Sequence, residues 1–288
     1  MRKYSWQWEA RPTGAVFHPG VVIHETGHAL GLPDYYDYDD ATGPRGGVGG
    51  LDMMHSNRGD HNCFSKWVLD WIAPVYVFDG LQNLSLDASG TSRNCVLIWP
   101  PAAPNVFSEY FVVQNRHRVG NDDAPGMPGD GMLIWHVDAT LNAAGTNFMY
   151  DNSWSAHKLL RLMEADGLEE IETGGAADAD DYYKAGRDFS PCSKPNSNKY
   201  DGTNTHIRVS SFSVPGPTMT ARFEHGYSCP LKSWFSSYKK LALDPAKLML
   251  ARKYRDTVLT RTPNGKLYTS ILYQHSEAAL QVLMDNPD

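Results

Sequence analysis

Long hydrophobic runs are missing from this sequence of 288 residues, and none approaches the length of a membrane-spanning helix. No membrane span is therefore predicted. An excess of positive charge is missing too: the formal net charge is −7, so a nucleic-acid partner is not expected. Cysteine is scarce, and the four cysteines form no Cys-x-x-Cys pair, which argues against a zinc ribbon. They are Cys63, Cys95, Cys192 and Cys229. Their spacing leaves one or two disulfides, or ordinary buried thiols, open.

The N-terminus lacks the features of a secretion signal. The segment "MRKYSWQWEARPTG" opens with positive charge but has no apolar stretch behind it. Internal repeats at the periods of solenoids or propellers are also absent. The apolar, aromatic and charged fractions are 41%, 11% and 20%, which is ordinary for a globular protein. The length suits one large domain or about two or three small ones.

Three regions with different residue patterns follow one another along the chain. Residues 1–74 contain two helical patterns, "GVVIHETGHALG" and "FSKWVLDWI", separated by a glycine-rich loop. Residues 75–226 contain short β-rich runs with Gly/Pro turns between them, which favour a β-sandwich. Residues 227–288 read as a small helical tail. The sequence therefore predicts an α+β protein.

Five sequence runs predict the strands, and the spacing of apolar residues predicts the second helix. The runs are "NCVLIWP", "EYFVVQNR", "GMLIWHVD", "THIRVSSFS" and "TMTARFEH". In the second helix five apolar residues recur at helical spacing and are expected to form a buried face. They are Phe64, Trp67, Val68, Trp71 and Ile72.

The first helix carries the residues with the clearest chemistry. His24 and His28 are one helical turn apart, so their imidazoles share a face and can bind one metal ion. Glu25 follows the first histidine and points to the side, where it can reach a water on that metal without being a ligand. Two imidazoles and a carboxylate, with a position left open for water, suit Zn²⁺.

The residues after the helix predict how the chain supplies the carboxylate. Gly31 can adopt the left-handed conformation that ends a helix. Leu32 is held extended because Pro33 follows it, and the proline ring fixes one more dihedral. Asp34 is then the first residue able to return to the metal. The sequence therefore predicts His24, His28 and Asp34 as the zinc ligands.

The string HExxHxxGxxD, followed by a loop and a methionine-containing turn, resembles a metzincin-type zinc peptidase. The longer string "HETGHALGLPDYYDYDD…GGVGGLDMMHSNRGDHNCFSKWVLDWI" resembles the immune inhibitor A-like family of secreted bacterial zinc metallopeptidases. The similarity continues through "PGDGMLIWHVD", "HKLLRLMEADG" and "TMTARF", and covers roughly residues 18–223. It implies a zinc endopeptidase that acts on protein or peptide substrates outside the cell. It also implies the C-terminal part of a metzincin-like catalytic domain in residues 1–74, followed by a β-rich domain.

The resemblance assigns roles position by position. His24 and His28 match the zinc ligands, and Glu25 matches the base that takes a proton from the attacking water. Asp34 matches the position of the third ligand, where metzincins more often have histidine. With this set, the chain needs no serine or cysteine nucleophile.

Two assignments leave alternatives open. Asp37 and Asp39 lie close enough to Asp34 to replace it as the third ligand. Met54 matches the methionine turn, which forms an apolar floor beneath the metal, and Met53 is the alternative if the turn is offset by one residue. Simple core packing explains either methionine equally well.

Two further groups of residues permit a metal or a simpler explanation. His136 and Asp138 share a strand face, and with His157 or Asp166 they could form a second metal site; a buried hydrogen-bonded pair is the preferred interpretation. A second group clusters three acidic residues, in a loop of the kind that binds Ca²⁺ or is merely solvated. These residues are Asp178, Asp180 and Asp181, and "YYDYDD" after the zinc motif permits the same two interpretations.

The position of the motif suggests alternative functions. Only 23 residues precede His24, too few for the sheet and backing helix that come before this motif in metzincins. We therefore expect an N-terminally truncated member, whose zinc helix exposes Val22, Ile23 and Leu30 or packs them imperfectly. One alternative is an inactive relative that binds protein or glycan through its β-sandwich. Another is a metal-dependent hydrolase of small amides.

Overall fold

A computed structural model of the chain describes residues 19–39, 41, 46–99, 105–123, 126–153, 156–228 and 261. The chain divides into two compact units, Met1–Gly226 and Tyr227–Asp288. The first unit combines helices with two β-sheets, so the predicted mixed α+β class is confirmed. The predicted helical tail at 227–288 lies almost entirely outside the described residues.

The helices among the described residues are short, apart from the first. They are α1 (Pro19–Leu30), α2 (Met53–Ser56), α3 (Cys63–Val68) and α4 (Ile171–Gly174), with a 3₁₀ turn at Gly120–Asp122. None of them combines the length and the apolarity needed to cross a membrane.

Eight strands form two sheets in the described part of the first unit. The strands are β1 (Val75–Val77), β2 (Leu81–Asp87), β3 (Val96–Ile98), β4 (Glu109–Arg116), β5 (Gly131–Asp138), β6 (Leu160–Leu162), β7 (Ile207–Ser210) and β8 (Thr218–His225). The larger sheet has the order β1-β3-β4-β5-β6 and the smaller one β2-β8-β7. All five predicted runs contain a strand, whereas β1, β2 and β6 were not predicted.

The five-stranded sheet is buried on both faces. Alternate residues of β4 point in opposite directions, because side chains alternate along a strand. Tyr110 and Val112 join one hydrophobic core together with the helices. Phe111 and Val113 join a second core, which the smaller sheet covers. The sheet thus lies between a helical layer and a second sheet.

The helical layer shares its core with the large sheet. Leu32, Tyr35 and Met54 pack in the same cluster as Leu133 and Trp135 of β5. The boundary predicted near residue 74 therefore falls inside the first unit, where residues on either side of it are buried together.

The second predicted helix is shorter than its apolar spacing suggests. Asn62 caps α3, because its side chain accepts a hydrogen bond from Ser65 N at 3.0 Å. The helix ends at Val68, and Asp70 adopts a left-handed conformation with φ 58°. Trp71 therefore lies beyond the helix and is 43% exposed. Val68, the last residue of the helix, is 36% exposed. The prediction of a continuous buried face was wrong for Val68 and Trp71.

Candidate metal centre

Helix α1 places two imidazoles on one face. His24 is buried and His28 is partly buried. Their Nε2 atoms lie 3.1 Å apart, and their ring centroids are 4.7 Å apart. This is the arrangement that an i, i+4 pair adopts when both side chains turn toward one point.

The chain leaves α1 through a turn built on glycine. Gly31 has φ 105°, a conformation that L side chains rarely adopt. Its N–H donates to the His28 carbonyl, and Leu32 N–H donates to the Gly27 carbonyl, both at 3.0 Å. These two bonds form a Schellman motif, which satisfies the last carbonyls of the helix and reverses the chain. The reversal brings Asp34 back to the histidine face.

Asp34 completes a triangle of donor atoms. Its Oδ1 lies 2.9 Å from His24 Nε2 and 3.2 Å from His28 Nε2. The residue is 5% exposed, and Oδ1 accepts no hydrogen bond from a described residue. The second oxygen, Oδ2, accepts a hydrogen bond from the Tyr38 hydroxyl. One carboxylate oxygen is thus held in place and the other is directed at the two imidazoles.

Backbone carbonyls fix the orientation of both histidines. His24 Nδ1 lies 3.0 Å from the Met53 carbonyl, and His28 Nδ1 lies 2.9 Å from the Leu32 carbonyl. A carbonyl only accepts, so each Nδ1 carries the proton and donates it. The Nε2 lone pairs therefore face the centre of the triangle. Metal-binding histidines commonly use this outer contact to fix their tautomer.

The charges at the triangle favour a cation at its centre. Asp34 raises the pKa of His24, against the burial that lowers it. Burial alone would raise the pKa of Asp34, but its contacts with His24 and Tyr38 and the nearby histidine charges lower it. The carboxylate thus stays ionised beside two imidazole lone pairs. A proton or a metal ion between them relieves the repulsion.

The three donor atoms are close enough together to contact one zinc ion. Zinc–nitrogen and zinc–oxygen bonds of about 2.0–2.2 Å put tetrahedral ligands about 3.3–3.6 Å apart. The three separations here run from 2.9 to 3.2 Å, slightly shorter than that range. An ion that caps this triangle keeps one position open, which distinguishes catalytic from structural zinc sites.

The segment predicted as the methionine turn packs against α1. Met54 is fully buried, and a Cβ atom added at Gly27 would approach its Sδ to 2.5 Å. Met53 instead contributes its carbonyl to His24. Asp52 is fully buried and orders the turn, because it accepts hydrogen bonds from Met54 N at 2.7 Å and Asn62 N at 2.6 Å. The structure thus places the Met54 side chain, rather than that of Met53, against α1.

A buried arginine ties this turn to the large sheet. Arg116, at the end of β4, is 1% exposed and donates to the Leu51 carbonyl at 3.0 Å. Its guanidinium also pairs with the buried Asp122, whose charge raises the pKa of Arg116 against the burial that lowers it. The strand end therefore positions the segment that leads into the methionine turn.

Glu25 is available for chemistry beside the triangle. It is partly buried and forms no hydrogen bond or ion pair with another residue in the described part of the chain. Its charge contributes to the raised pKa values of His24 and Tyr36. A carboxylate in this position is free to accept a proton from a nearby water.

Two open cavities are lined in part by residues that lie close in sequence to the ligands. One has a volume of about 540 Å³ and the other about 580 Å³. The first is lined by Pro19, Gly20, Ile23, Met53, Asn57, Arg58, Gly59, Asp60, His61 and Asn121. The second is lined by Tyr36, Asp37, Tyr38, Gly46, His55, Gly174, Gly175 and Ala176.

The two alternative aspartates lie outside the triangle. Asp37 Oδ1 accepts a hydrogen bond from Asp39 N at 2.8 Å, and Asp39 Oδ1 accepts one from Ala41 N at 3.1 Å. Both carboxylates thus order the turn that follows Asp34. Within the described residues, the group with metal-binding geometry at this position is His24, His28 and Asp34.

The candidate second site in β5 separates into two histidine–carboxylate pairs. His136 Nε2 lies 2.9 Å from Glu109 Oε1, and His157 Nε2 lies 2.7 Å from Asp138 Oδ2. Tyr200 stacks between the two imidazoles, with centroid distances of 4.1 and 4.0 Å. His136 and Asp138 therefore do not pair with each other as expected: each is hydrogen-bonded to a separate partner, and the sequence did not indicate Glu109.

The aspartates of the acidic loop differ in exposure, since one faces the solvent and another is buried. Asp180 is exposed and pairs with Lys184 at 3.2 Å. Asp181 is 1% exposed and accepts a hydrogen bond from Asp178 N at 2.7 Å. It lies with other carboxylates in a second group of potential metal ligands: Glu164, Asp166, Glu170 and Asp181.

The cysteines have no catalytic setting. Cys63 and Cys95 are buried free thiols, and Cys192 is disulfide-bonded. Burial raises the pKa of Cys63 well above its usual value. A buried thiol with a raised pKa is a poor nucleophile.

Sequence reasoning missed the contacts that orient the ligands. The Met53 and Leu32 carbonyls belong to the backbone and have no side-chain signature, and the bond from Tyr38 to Asp34 depends on the turn. The "YYDYDD" run was the only available signal for Tyr38. Comparison of the chain with protein-family models, with curated proteins and with solved structures finds no match.

Proposed function

We propose that this protein is a zinc-dependent endopeptidase in which His24, His28 and Asp34 hold the metal and Glu25 is the general base. The observation that supports this most strongly is the convergence of three donor atoms within 3.2 Å. Both imidazole protons are committed to carbonyls on the far side. Three acceptors that share no proton form a site for a metal ion.

The residues around the centre would have different roles in hydrolysis. Bound zinc would lower the pKa of a water to about 7 and polarise the scissile carbonyl. A carboxylate oxygen of Glu25 accepts the proton of the attacking water, and delivers it to the nitrogen of the departing amine. Tyr38 holds Asp34 Oδ2, so that Oδ1 keeps its direction.

The surroundings favour a polymeric substrate over a small amide. Two cavities are lined by neighbours of the ligands, one by Ile23 and Met53 and the other by Tyr36 and Tyr38. A peptide that crosses the metal can place side chains in both. A small amide would fill at most one of them, so a protein or peptide substrate fits better.

The sequence motifs support a specific family. The HExxHxxGxxD string and its downstream similarity resemble the immune inhibitor A-like metallopeptidases. On this proposal the helical layer corresponds to part of a metzincin-like catalytic domain, the facing sheets form a β-sandwich, and the protein works outside the cell.

Hydrolysis of casein and of internally quenched peptides tests this proposal. We expect activity that a zinc chelator removes and added zinc restores. Glu25→Gln should lower the rate by about a hundredfold or more and leave the zinc content unchanged. Asp79→Asn removes the charge of an exposed carboxylate and is the matched control. Equal rates for Glu25→Gln and wild type, or hydrolysis of acylated amino acids alone, would overturn the proposal.

A further inference from the structure

Four carboxylates come together on the side of the sheet where β6 ends. Glu164 and Asp166 follow that strand, and Glu170 immediately precedes α4. The fourth residue, Asp181, belongs to the acidic loop. One oxygen from each lies within 4.8 Å of the oxygens of the other three. Glu164 is 3% exposed and Asp181 is 1% exposed, so half of this group is inside the protein.

Two oxygens of this group lack a hydrogen-bond partner among the described residues. Asp181 Oδ1 and Glu170 Oε2 are buried and accept no hydrogen bond from the described residues. Within the same part of the chain, none of the four carboxylates forms an ion pair. Two arginines of the neighbouring segments contact other groups: Arg161 contacts Glu169, and Arg187 donates to the Ala165 carbonyl.

An unpaired buried carboxylate is expensive, and two here have pKa values that reflect it. Burial, with the charge of Asp181, raises the pKa of Glu164 to about 8. Burial, with the charges of Asp166, Asp178 and Glu170, raises the pKa of Asp181 to about 7. A cation among these oxygens would remove the repulsion that raises both values.

The backbone holds the four side chains in this arrangement. Glu170 N donates to Glu164 Oε2 at 2.6 Å, which closes the turn between β6 and α4. Ala165 N donates to the Asp181 carbonyl at 3.1 Å, which ties the acidic loop to that turn. The carboxylates are therefore brought together by the fold rather than by flexible side chains.

We propose that Glu164, Asp166, Glu170 and Asp181 bind one Ca²⁺ ion. The group offers only oxygen, the ligand that hard cations prefer. Ca²⁺ accepts several carboxylates in a flexible geometry at about 2.3–2.6 Å, whereas Mg²⁺ demands a near-ideal octahedron and keeps several of its waters. Four carboxylates with oxygens within 4.8 Å of one another therefore suit Ca²⁺ better. Asp181 Oδ1 then has the partner that it otherwise lacks.

The proposed ion would also support a cavity beside the metal centre. Glu170 immediately precedes α4, whose end at Gly174 lines the cavity next to Tyr36 and Tyr38. Just beyond the helix, Ala177 N donates to the Gly49 carbonyl at 3.0 Å. Calcium would hold this segment against the glycine-rich loop. The inference does not depend on the zinc proposal, because it uses none of the same ligands.

Calcium titration of the intact, calcium-depleted chain tests the inference by calorimetry and thermal unfolding. We expect one Ca²⁺ per chain, binding at least about tenfold tighter than Mg²⁺. Free Ca²⁺ at about a hundred times the Kd should raise the Tm by roughly 5–10 °C. Asp181→Asn should weaken calcium binding by about tenfold or more. If Asp181→Asn does not fold, Glu170→Gln, which changes a less buried position, replaces it as the test variant.

Two control variants separate this site from its surroundings. Asp180→Asn makes the same change at an exposed position of the same loop and should leave calcium binding unaltered. His28→Ala should also retain it, because that residue belongs to the other metal centre. Absence of calcium binding in the wild type, an equal affinity for Mg²⁺, or unchanged binding in both Asp181→Asn and Glu170→Gln would overturn the inference.

Discussion

The Nε2 atoms of His24 and His28 lie 3.1 Å apart, and Asp34 Oδ1 lies within 3.2 Å of both. Each Nδ1 donates to a carbonyl on the far side of its ring. Two neutral imidazoles in this relationship repel each other through their lone pairs, and the nearby Asp34 carboxylate adds to the repulsion. The arrangement becomes favourable once a cation lies between them, so we expect metal binding to stabilise the fold as well as to support catalysis.

Replacement of Asp34 by alanine should weaken zinc binding by roughly a hundredfold or more, because it removes the charged ligand of the triangle. Competition with a zinc-binding dye measures the affinity. Asp37→Ala is the matched control, since Asp37 lies three residues on and accepts a backbone hydrogen bond. If Asp37→Ala weakens binding and Asp34→Ala does not, the ligand assignment is wrong.

Alanine at Gly27 should destabilise the zinc helix by about 1–3 kcal/mol, because its Cβ would lie 2.5 Å from Met54 Sδ in a fully buried contact. Urea unfolding measures the change. Gly174→Ala is the control, since a Cβ there meets nothing within 4 Å. Equal effects of the two changes would show that Met54 does not pack tightly against α1.

The protein should lose stability below about pH 6.5 partly because of His136. Burial lowers the pKa of this imidazole, against its hydrogen bond to Glu109 and the charges of Glu109 and Asp138, which raise the pKa. The unfolded chain therefore takes up a proton at a pH where the folded chain does not, and the free energy of unfolding falls as the pH drops. Above pH 6.5 both states are neutral at this residue and the loss disappears.

The comparison of wild type with His136→Gln isolates this effect. The difference between the two proteins at pH 8 reports packing alone. Between pH 8 and pH 5.5 the wild type should lose about 1 kcal/mol more than the variant. An identical pH dependence would mean that the pKa of His136 does not differ between the folded and the unfolded chain.

The local features of the fold were predictable because their causes lie close together in sequence. The spacing of His24 and His28, and the Gly31 turn, depend on a few neighbouring residues. The strands β4 and β5 are long runs of apolar residues and were found for the same reason. By contrast, β2 is mostly exposed and polar, so its sequence gives little apolar pattern.

Features that depend on distant residues were missed. The sequence grouped Asp181 with Asp178 and Asp180 because they are neighbours, whereas the fold turns Asp181 inward toward Glu164. In the same way, the bond from His136 to Glu109 depends on the register of β4 and β5, which places Phe111 opposite His136. Strand register and loop packing follow from the whole core, and local patterns do not specify them.

Zinc content after purification and dialysis tests the central claim most directly. The measurement compares wild type, His28→Ala and Glu25→Ala by atomic absorption. The proposed centre predicts one zinc per chain in the wild type and in Glu25→Ala, which loses only the base, and none in His28→Ala, which loses a ligand. Equal zinc in wild type and His28→Ala would contradict the assignment of these residues as a metal centre.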